Sequence, residues 1–266
     1  MKNPSTVTHT NARLKVYPGK TIQQVASEPI FPMTPGASTR PYDVAPPGHA
    51  LNPARAMMES QRRAKARVMD IALCNAFPWF FTWTLDPKLV DRYSPETVYR
   101  KVRSFLSNAV RRKGFAYVAV PEYHQKKDAA DKPAIHIHGL CHLGQIPIVR
   151  ALNRAGRSFT DKHGRPVYHM SAWKWGYSTC VPIDQNYERA VYYVAGYITM
   201  ADAKIFGKWY LASRNLVKQP ELIPLEPVPY DEFRDEAKLA RHEQYESKIY
   251  GGLHIVTEEL PPLEQP

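Results

Sequence analysis

Two β-like runs separated by a short polar stretch constrain this chain more than any other feature. They are FAYVAVPEYH (115–124) and AIHIHGLCHL (134–143). Runs that are rich in apolar and β-branched residues on both sides of a polar linker are typical of a β-hairpin. We therefore expect an antiparallel sheet that contains this pair of strands.

Further elements surround the hairpin. In chain order, they are a basic amphipathic helix after Pro53, a strand over 78–87, a helix from Pro95 to Gly114, a strand within 171–183 and a helix over 186–203. Ser94 is the expected N-cap of the second helix, since a hydroxyl before a proline at the first helical position is a typical start signal. Together the elements predict an α+β fold with a central antiparallel β-sheet flanked by helices.

The two ends of the chain differ from this middle part. Residues 1–53 hold nine prolines, which favours an extended arm with little structure of its own. Residues 211–266 hold seven prolines and one charged candidate helix over 231–249. The expected organisation is therefore a Pro-rich arm (1–53), a globular domain (54–210) and an acidic tail (211–266).

The formal charge of +11 is distributed unevenly. Residues 211–266 carry 11 acidic and 6 basic residues, whereas residues 1–210 carry 30 basic and 14 acidic ones. Clustered Lys and Arg favour nucleic acid as the partner, because they neutralise phosphates. The first helix supplies candidate phosphate contacts, although a solvated helix face explains the same residues. These candidates are Arg62, Arg63, Lys65 and Arg67.

Neither a membrane nor an oxidising compartment is indicated. The most apolar stretch, residues 71–85, contains Asn75 and Pro78 and is too short to span a bilayer. The N-terminal segment lacks the apolar run of a signal peptide. Three widely spaced cysteines without a CxxC pair indicate neither a disulfide framework nor a thiolate zinc site. These features favour a cytoplasmic protein with no membrane partner.

The segment His136-Ile137-His138 is the main chemical signal. Residues two apart on a strand project from one face, so both imidazoles point to the same side while Ile137 enters the core. The paired strand carries Glu122 and His124, either of which can supply a third ligand to a divalent cation. Two imidazoles and a carboxylate suit Mg²⁺ or Mn²⁺, and this favours Glu122.

His142 offers another interpretation of the same site. It shares strand parity with the histidine pair, so a three-histidine zinc site is conceivable. Its position four residues beyond His138, roughly 13 Å along a strand, makes that site the weaker alternative. An HxH pair also occurs in many proteins as a purely structural feature.

A second reactive group lies in YYVAGY (192–197). Tyr193 and Tyr197 are four residues apart, which places them on one face of a helix. Aromatic residues at this spacing usually belong to a core. Beside a metal-bound phosphodiester, however, a phenol can attack phosphorus in line and leave a 5′-phosphotyrosine and a free 3′-OH. Two such phenols could alternate between cutting and rejoining a strand.

Three segments in this order resemble the motifs of HUH endonucleases: FFTWTLDP, then Glu122 ahead of HIHGL, then YYVAGYITM. This family includes the replication initiators of single-stranded DNA phages and of rolling-circle plasmids. The resemblance covers roughly residues 55–210. It implies a ferredoxin- or RRM-like fold whose central sheet holds the catalytic metal, with a nearby helical tyrosine that bonds covalently to DNA.

Carried over onto this chain, the resemblance makes His136 and His138 metal ligands, Glu122 the third ligand, Tyr193 the first nucleophile and Tyr197 the second tyrosine. One departure is a glycine at position 196, where these initiators usually carry lysine. The missing cation would hold the phosphate or protonate a leaving group. The candidates for replacing it are Lys204 and Lys208.

The resulting expectation is an initiator that nicks one strand at a single-stranded or hairpin origin to start rolling-circle replication. No helicase motor follows the candidate domain, so unwinding is expected from a host or separate helicase. A single-strand transposase or relaxase would use the same chemistry. A non-catalytic DNA-binding module with structural histidines is the alternative from a different class.

Overall fold

A computed structural model describes residues 8–34, 50–124, 132–153, 155–184, 186–239, 244–248 and 253–260 of the chain. The described residues fall into two compact units. One unit covers residues 52–219, and the other combines residues from both ends, 1–51 with 220–266.

The helices and strands of the described residues are numbered in chain order. The helices are α1 (Pro53–Asn75), α2 (Pro95–Lys113), α3 (Tyr187–Met200) and α4 (Tyr230–Leu239). The strands are β1 (His9–Thr10), β2 (Ala12–Tyr17), β3 (Lys20–Ala26), β4 (Phe31–Pro32), β5 (Trp79–Trp83), β6 (Ala116–Tyr123), β7 (Ile135–His142), β8 (Ile148–Arg150), β9 (Tyr168–Met170), β10 (Ser178–Pro182), β11 (Leu211–Ala212), β12 (Glu221–Pro224), β13 (Gln244–Lys248) and β14 (His254–Leu260).

The unit of residues 52–219 is built on a seven-stranded antiparallel sheet in the order β11-β6-β7-β5-β10-β9-β8. Both faces of the sheet are covered, because α1 and α3 pack on one face and α2 packs on the other. The strand alternation explains this arrangement: Val120 and Leu140 belong to the α1–α3 layer, while Ile137 and Phe81 belong to the α2 layer. The predicted α+β fold with a central antiparallel sheet is confirmed.

Helix α2 follows its sequence signals closely. The Ser94 side chain accepts a hydrogen bond from the Thr97 amide, and Gly114 ends the helix with a left-handed φ of 64°. Arg111, Arg112 and Lys113 occupy the last turn, where positive charge complements the helix dipole. By contrast, the strand expected within 171–183 is confined to β10, and the short strands β8, β9 and β11 lie outside the predicted ones.

Side-chain hydrogen bonds between α1 and α3 fix the position of α3. Gln61 donates its amide to the carbonyls of Ile198 and Ala201, at 3.3 and 2.7 Å, at the end of α3. At the start of α3, the Tyr187 hydroxyl donates to the Ala72 carbonyl at 2.7 Å. Because these bonds hold both ends of the helix, the tyrosines in its middle are presented to the sheet at a fixed height.

Gly139 lies in the middle of β7, paired with Phe81 on one side and Ala119 on the other. A Cβ atom at this position would lie 2.5 Å from the Phe81 ring and 2.6 Å from the Val118 carbonyl oxygen. Real Cβ atoms do not approach other atoms so closely, so a side chain would push the neighbouring strand or the buried ring aside. The glycine of HIHGL is therefore required by packing.

Gly139→Ala is expected to destabilise the fold by about 1–3 kcal/mol, the usual cost of overpacking a core. The matched control is Gly196→Ala in α3, where a Cβ meets nothing within 4 Å. That change should stabilise the protein by about 0.5–1 kcal/mol through helix propensity. Urea denaturation of both variants measures the two effects, and equal shifts in the same direction would contradict the packing argument.

The unit formed by the chain ends differs from the expectation of an arm with little structure. Strands β2 and β3 form a hairpin around Gly19, whose φ is 74°, and they join a five-stranded sheet in the order β12-β2-β3-β14-β13. The arm prediction is wrong for residues 9–32, because β2 and β3 find further partner strands near the opposite end of the chain. Residues 1–7 and 35–49 of the predicted arm lie outside the described residues.

The tail helix is shorter than predicted. Helix α4 ends at Leu239, and the second half of the predicted segment contains strand β13, which pairs with β14. The core of this unit includes Ala12, Val25, Phe233 and Val256. No helix within the described residues is long and apolar enough to cross a lipid bilayer.

Candidate metal centre and tyrosine pair

Strand β7 places the two histidines of the HxH segment on the α1–α3 face of the sheet. The register pairs His138 with Val120 on β6 and with Thr82 on β5, and it pairs His136 with Glu122. Because opposite residues of antiparallel strands point to the same side, the carboxylate projects beside both imidazoles. The segment's middle residue is fully buried on the other face, as the period-two pattern predicts.

Glu122, His136 and His138 form a compact group of potential metal ligands. One ligand atom from each side chain lies within 4.8 Å of the other two. The closest pair is His138 Nε2 and Glu122 Oε1 at 2.7 Å, and both side chains are largely buried. Two imidazoles and one carboxylate on one face leave coordination positions open on the opposite side, which suits a cation that also binds a phosphate oxygen.

Both ring nitrogens of His138 have a partner. Nε2 faces Glu122, and Nδ1 lies 3.0 Å from the Thr82 hydroxyl oxygen. With a cation at Nε2, the ring proton resides on Nδ1 and is donated to Thr82, which fixes the tautomer and the ring orientation. Sequence reasoning missed Thr82, although its place in the strand that precedes the hairpin was the available signal.

Thr82→Val should weaken binding of Mn²⁺ by about 10- to 100-fold, the usual effect of removing a group that orients a metal-bound histidine. The change keeps the β-branched shape, so the sheet should be preserved. Thr84→Val is the matched control, because the Thr84 hydroxyl donates to the Tyr177 carbonyl at 3.1 Å instead. Calorimetric titration with Mn²⁺ measures both, and an equal loss in the two variants would sink the proposed orienting role.

The environment of His136 favours the neutral imidazole that a metal ligand must have. Burial is the largest cause, and together with the neighbouring His124 and His138 it lowers the pKa of His136 to about 4. The ring centroids of His124 and His136 are 4.5 Å apart, yet His124 is not part of the three-residue group. The geometry thus places Glu122 rather than His124 beside both histidines.

His142 lies away from the three potential ligands. Its Nε2 is 2.8 Å from the Asn75 carbonyl oxygen at the end of α1, and its ring contacts Phe77. The geometry gives it a partner in the helix layer, so the three-histidine zinc site is not assembled among the described residues.

Helix α3 brings the two candidate tyrosines to the histidine pair. The Tyr197 ring stacks on His138 with a centroid distance of 4.2 Å and an interplanar angle of 14°. Its hydroxyl donates to the Tyr193 hydroxyl at 2.5 Å. Phe80 completes the group, with ring centroids 5.7 Å from Tyr193 and 6.2 Å from His138. Phe80 was not singled out from the sequence.

The two phenols have different surroundings. Tyr193 is 56% exposed, whereas Tyr197 is 6% exposed. Burial, followed by the hydrogen bond to Tyr193 and the nearby Glu122 carboxylate, raises the pKa of Tyr197 far above its usual range. Tyr197 therefore stays protonated and acts as a donor, while the Tyr193 side chain is open to solvent.

The basic residues expected to contact phosphates are distributed over two places. Arg62 and Arg63 are exposed on α1, and Arg63 pairs with Glu59 at 3.6 Å, while Lys65 is half-buried. Arg67, also half-buried, donates to the Lys218 carbonyl at 3.2 Å. Their role in DNA binding stays a prediction.

The position after the first tyrosine where related initiators carry lysine is open. Gly196 has no atom within 4 Å of a built Cβ, so space does not exclude a side chain there. Of the candidate replacements, Lys204 and Lys208 are both exposed beyond the end of α3, and the Lys204 ammonium lies over the Trp209 ring at 5.7 Å.

Comparison with known proteins places this group of residues within one matched region. Residues 78–202 match the family described as replication-associated protein ORF2. No curated protein and no solved structure matches the chain. The matched region extends from β5 to the end of α3 and includes Glu122, His136, His138 and both tyrosines. Over its entire candidate site, the chain is therefore similar to replication-associated proteins, which supports a replication initiator.

Proposed function

We propose that this protein initiates rolling-circle replication by nicking one DNA strand with Tyr193 as the nucleophile. The single observation that carries the proposal is the contact chain Tyr193–Tyr197–His138–Glu122, which joins an exposed phenol to three potential metal ligands. Aromatic core packing alone does not require an exposed tyrosine at the end of such a chain.

The residues present fit a divalent cation. Glu122, His136 and His138 would hold it, because their ligand atoms already converge and the His136 imidazole is neutral near pH 7. A bound Mg²⁺ or Mn²⁺ supplies Lewis-acid polarisation of a phosphate oxygen. Thr82 and the buried strand residues keep the ligand side chains oriented.

The protein's own residues supply the nucleophile. The Tyr193 oxygen attacks phosphorus, a bond forms between them, and the bond from phosphorus to the 3′ oxygen breaks. The phenol proton is lost, the leaving 3′ oxygen takes up a proton, and the products are a 5′-phosphotyrosine and a free 3′-OH. The hydrogen bond that the Tyr197 hydroxyl donates to the Tyr193 oxygen stabilises negative charge on that atom before attack.

The order of the two tyrosines follows from exposure. Tyr193 acts first because its side chain is open to solvent, whereas the buried Tyr197 ring stacks on His138. Tyr197 serves as the second nucleophile once Tyr193 is joined to DNA and no longer accepts its hydrogen bond. In this way the two phenols cut and rejoin the strand.

Single-stranded DNA or an extruded hairpin is the proposed substrate, and a paired duplex is not. The active tyrosine lies on a helix packed against a sheet, so the scissile phosphate must come down to that surface. A single strand bends to do this at little cost, whereas a duplex must first be opened. A separate or host helicase would supply further unwinding.

The test is formation of a covalent protein–DNA product. The full chain is incubated with a pool of randomised single-stranded oligonucleotides and Mn²⁺, and the products are separated in SDS. We expect a band that resists SDS, requires the metal and yields a linked peptide containing Tyr193. A protein that binds the pool without ever forming this band would be a DNA-binding module and not a nickase.

A further inference from the structure

A cleft of about 490 Å³ opens beside Tyr193, and neither Tyr197 nor His138 lines it. One wall is the first half of α3, and the other is the segment of residues 159–167 between β8 and β9. Its floor is the same sheet face that carries the metal ligands, because Thr179 on β10 pairs with Thr82, which in turn pairs with His138. This size is typical of a cleft that holds a small organic ligand.

The floor and one wall of the cleft are apolar. Phe80, Val181 and Ile183 form the floor, and Phe159 lies on the opposite wall, half-buried against Val181. Flat apolar surfaces with an aromatic ring are suited to the face of a nucleobase, which stacks on aromatic side chains regardless of its identity. The hydroxyl of Thr179 adds one polar group to the floor for the edge of a base.

The rim of the cleft carries cations suited to phosphates. Lys162 and Arg189 are exposed on opposite walls. A third cation, Arg165, is paired with Asp161 at 2.7 Å and with Asp184 at 3.6 Å, so the two carboxylates of the rim are matched by this guanidinium. The cations that remain for a ligand therefore favour an anionic group at the mouth above an apolar floor.

We infer that this cleft binds one unpaired nucleotide next to the scissile phosphate and selects its base. The inference rests on the proposed function, since it places the phosphate at Tyr193. Thr179 is two strands away from His138, roughly 10 Å at ordinary strand spacing. A nucleotide joined to a phosphate at the metal ligands spans this distance, so its base reaches the floor while Lys162 or Arg189 contacts the next phosphate.

Binding without cutting is measured first, with a synthetic oligothymidylate in EDTA. Ultraviolet cross-linking of this probe should attach it to peptides that contain Phe159 or Phe80, because stacked thymine couples to aromatic side chains. Phe159→Leu keeps the small apolar cluster filled but removes the ring, and it should weaken binding about fivefold or more. An unchanged affinity, or cross-links confined to other surfaces, would overturn the inference.

The rim is tested through the salt dependence of the same binding. Removing Lys162 or Arg189 by alanine substitution should lower the slope of log affinity against log salt by about 0.7 for each cation. Arg157→Ala is the matched control, since Arg157 is exposed in the same loop region but does not line the cleft. A slope that falls equally in the control would show a diffuse basic surface and overturn the assignment of these two cations.

Base selection is read from covalent products of the randomised pool. Sequencing the linked DNA should reveal one position beside the cut whose base is restricted in the wild type and relaxed in Phe159→Leu, with the other positions unchanged. Linked DNA with the same preference in both proteins would overturn base selection. If no covalent product forms, the proposed function fails, while the cross-linking in EDTA still decides whether the cleft binds a nucleotide.

Discussion

Tyr193→Phe should lower the yield of covalent protein–DNA product by at least about 10³-fold, since it deletes the attacking oxygen and little else. The Tyr193 ring is 56% exposed and its hydroxyl accepts a bond from Tyr197, so the fold should tolerate the change. Affinity for single-stranded DNA should stay within about threefold, because phosphate contacts dominate binding. The measurements are the SDS-resistant product with Mn²⁺ and fluorescence anisotropy with the same oligonucleotide.

Tyr192→Phe provides a matched control on the neighbouring residue. Tyr192 is 53% exposed, which is close to the exposure of Tyr193. It lies one residue earlier on α3 and therefore about 100° around the helix. Its product yield should equal that of the wild type. A full yield from Tyr193→Phe would transfer the nucleophile role to another phenol, and peptide mapping of that product would identify it.

The local part of the fold could be predicted from the sequence because its signals lie within a few residues of one another. Ser94 and Gly114 bound α2 through cap geometry that needs only neighbouring backbone groups. The pairing of the two central strands follows from their composition and a short connection. His136 and His138 share a face for the same reason, since a two-residue period requires no knowledge of the tertiary structure.

The unit formed by the chain ends could not be predicted in this way. Strand β3 pairs with β14, so Val25 and Val256 meet from opposite ends of the chain, and nothing local in either segment indicates its partner. The prolines of the N-terminal segment favoured an extended arm, whereas Pro18 and Gly19 in fact form a hairpin turn. Pairings between distant segments depend on global topology.

The candidate site was only partly visible for a related reason. The ligand types and the tyrosine spacing are linear patterns, but Thr82 joins the site through the strand register between β5 and β7. The cleft beside Tyr193 depends on the segment 159–167, whose Phe159 reaches Val181 on another strand. Linear spacing identifies groups that carry chemistry, and tertiary packing decides which residues orient them.

The identity of the third ligand leads to the second large expected effect. Glu122→Gln keeps the size of the side chain and leaves an amide oxygen to accept the hydrogen bond from His138, which Glu122 Oε1 now meets at 2.7 Å. It removes the negative charge that a divalent cation requires. We expect Mn²⁺ affinity and the rate of covalent product formation each to fall at least about 100-fold, because charge stabilisation by a bound metal is worth several kcal/mol.

His124→Gln is the control that separates the two possible ligands of β6 and its continuation. The His124 ring contacts His136 at a centroid distance of 4.5 Å, so its removal changes the neighbourhood of the site without removing any of the three grouped ligands. Mn²⁺ affinity should stay within about threefold of the wild type, a change below about 1 kcal/mol. The reverse pattern, with His124→Gln inactive and Glu122→Gln active, would make His124 the ligand. Full activity of both variants would place the cation elsewhere and remove the physical basis for an attack by Tyr193.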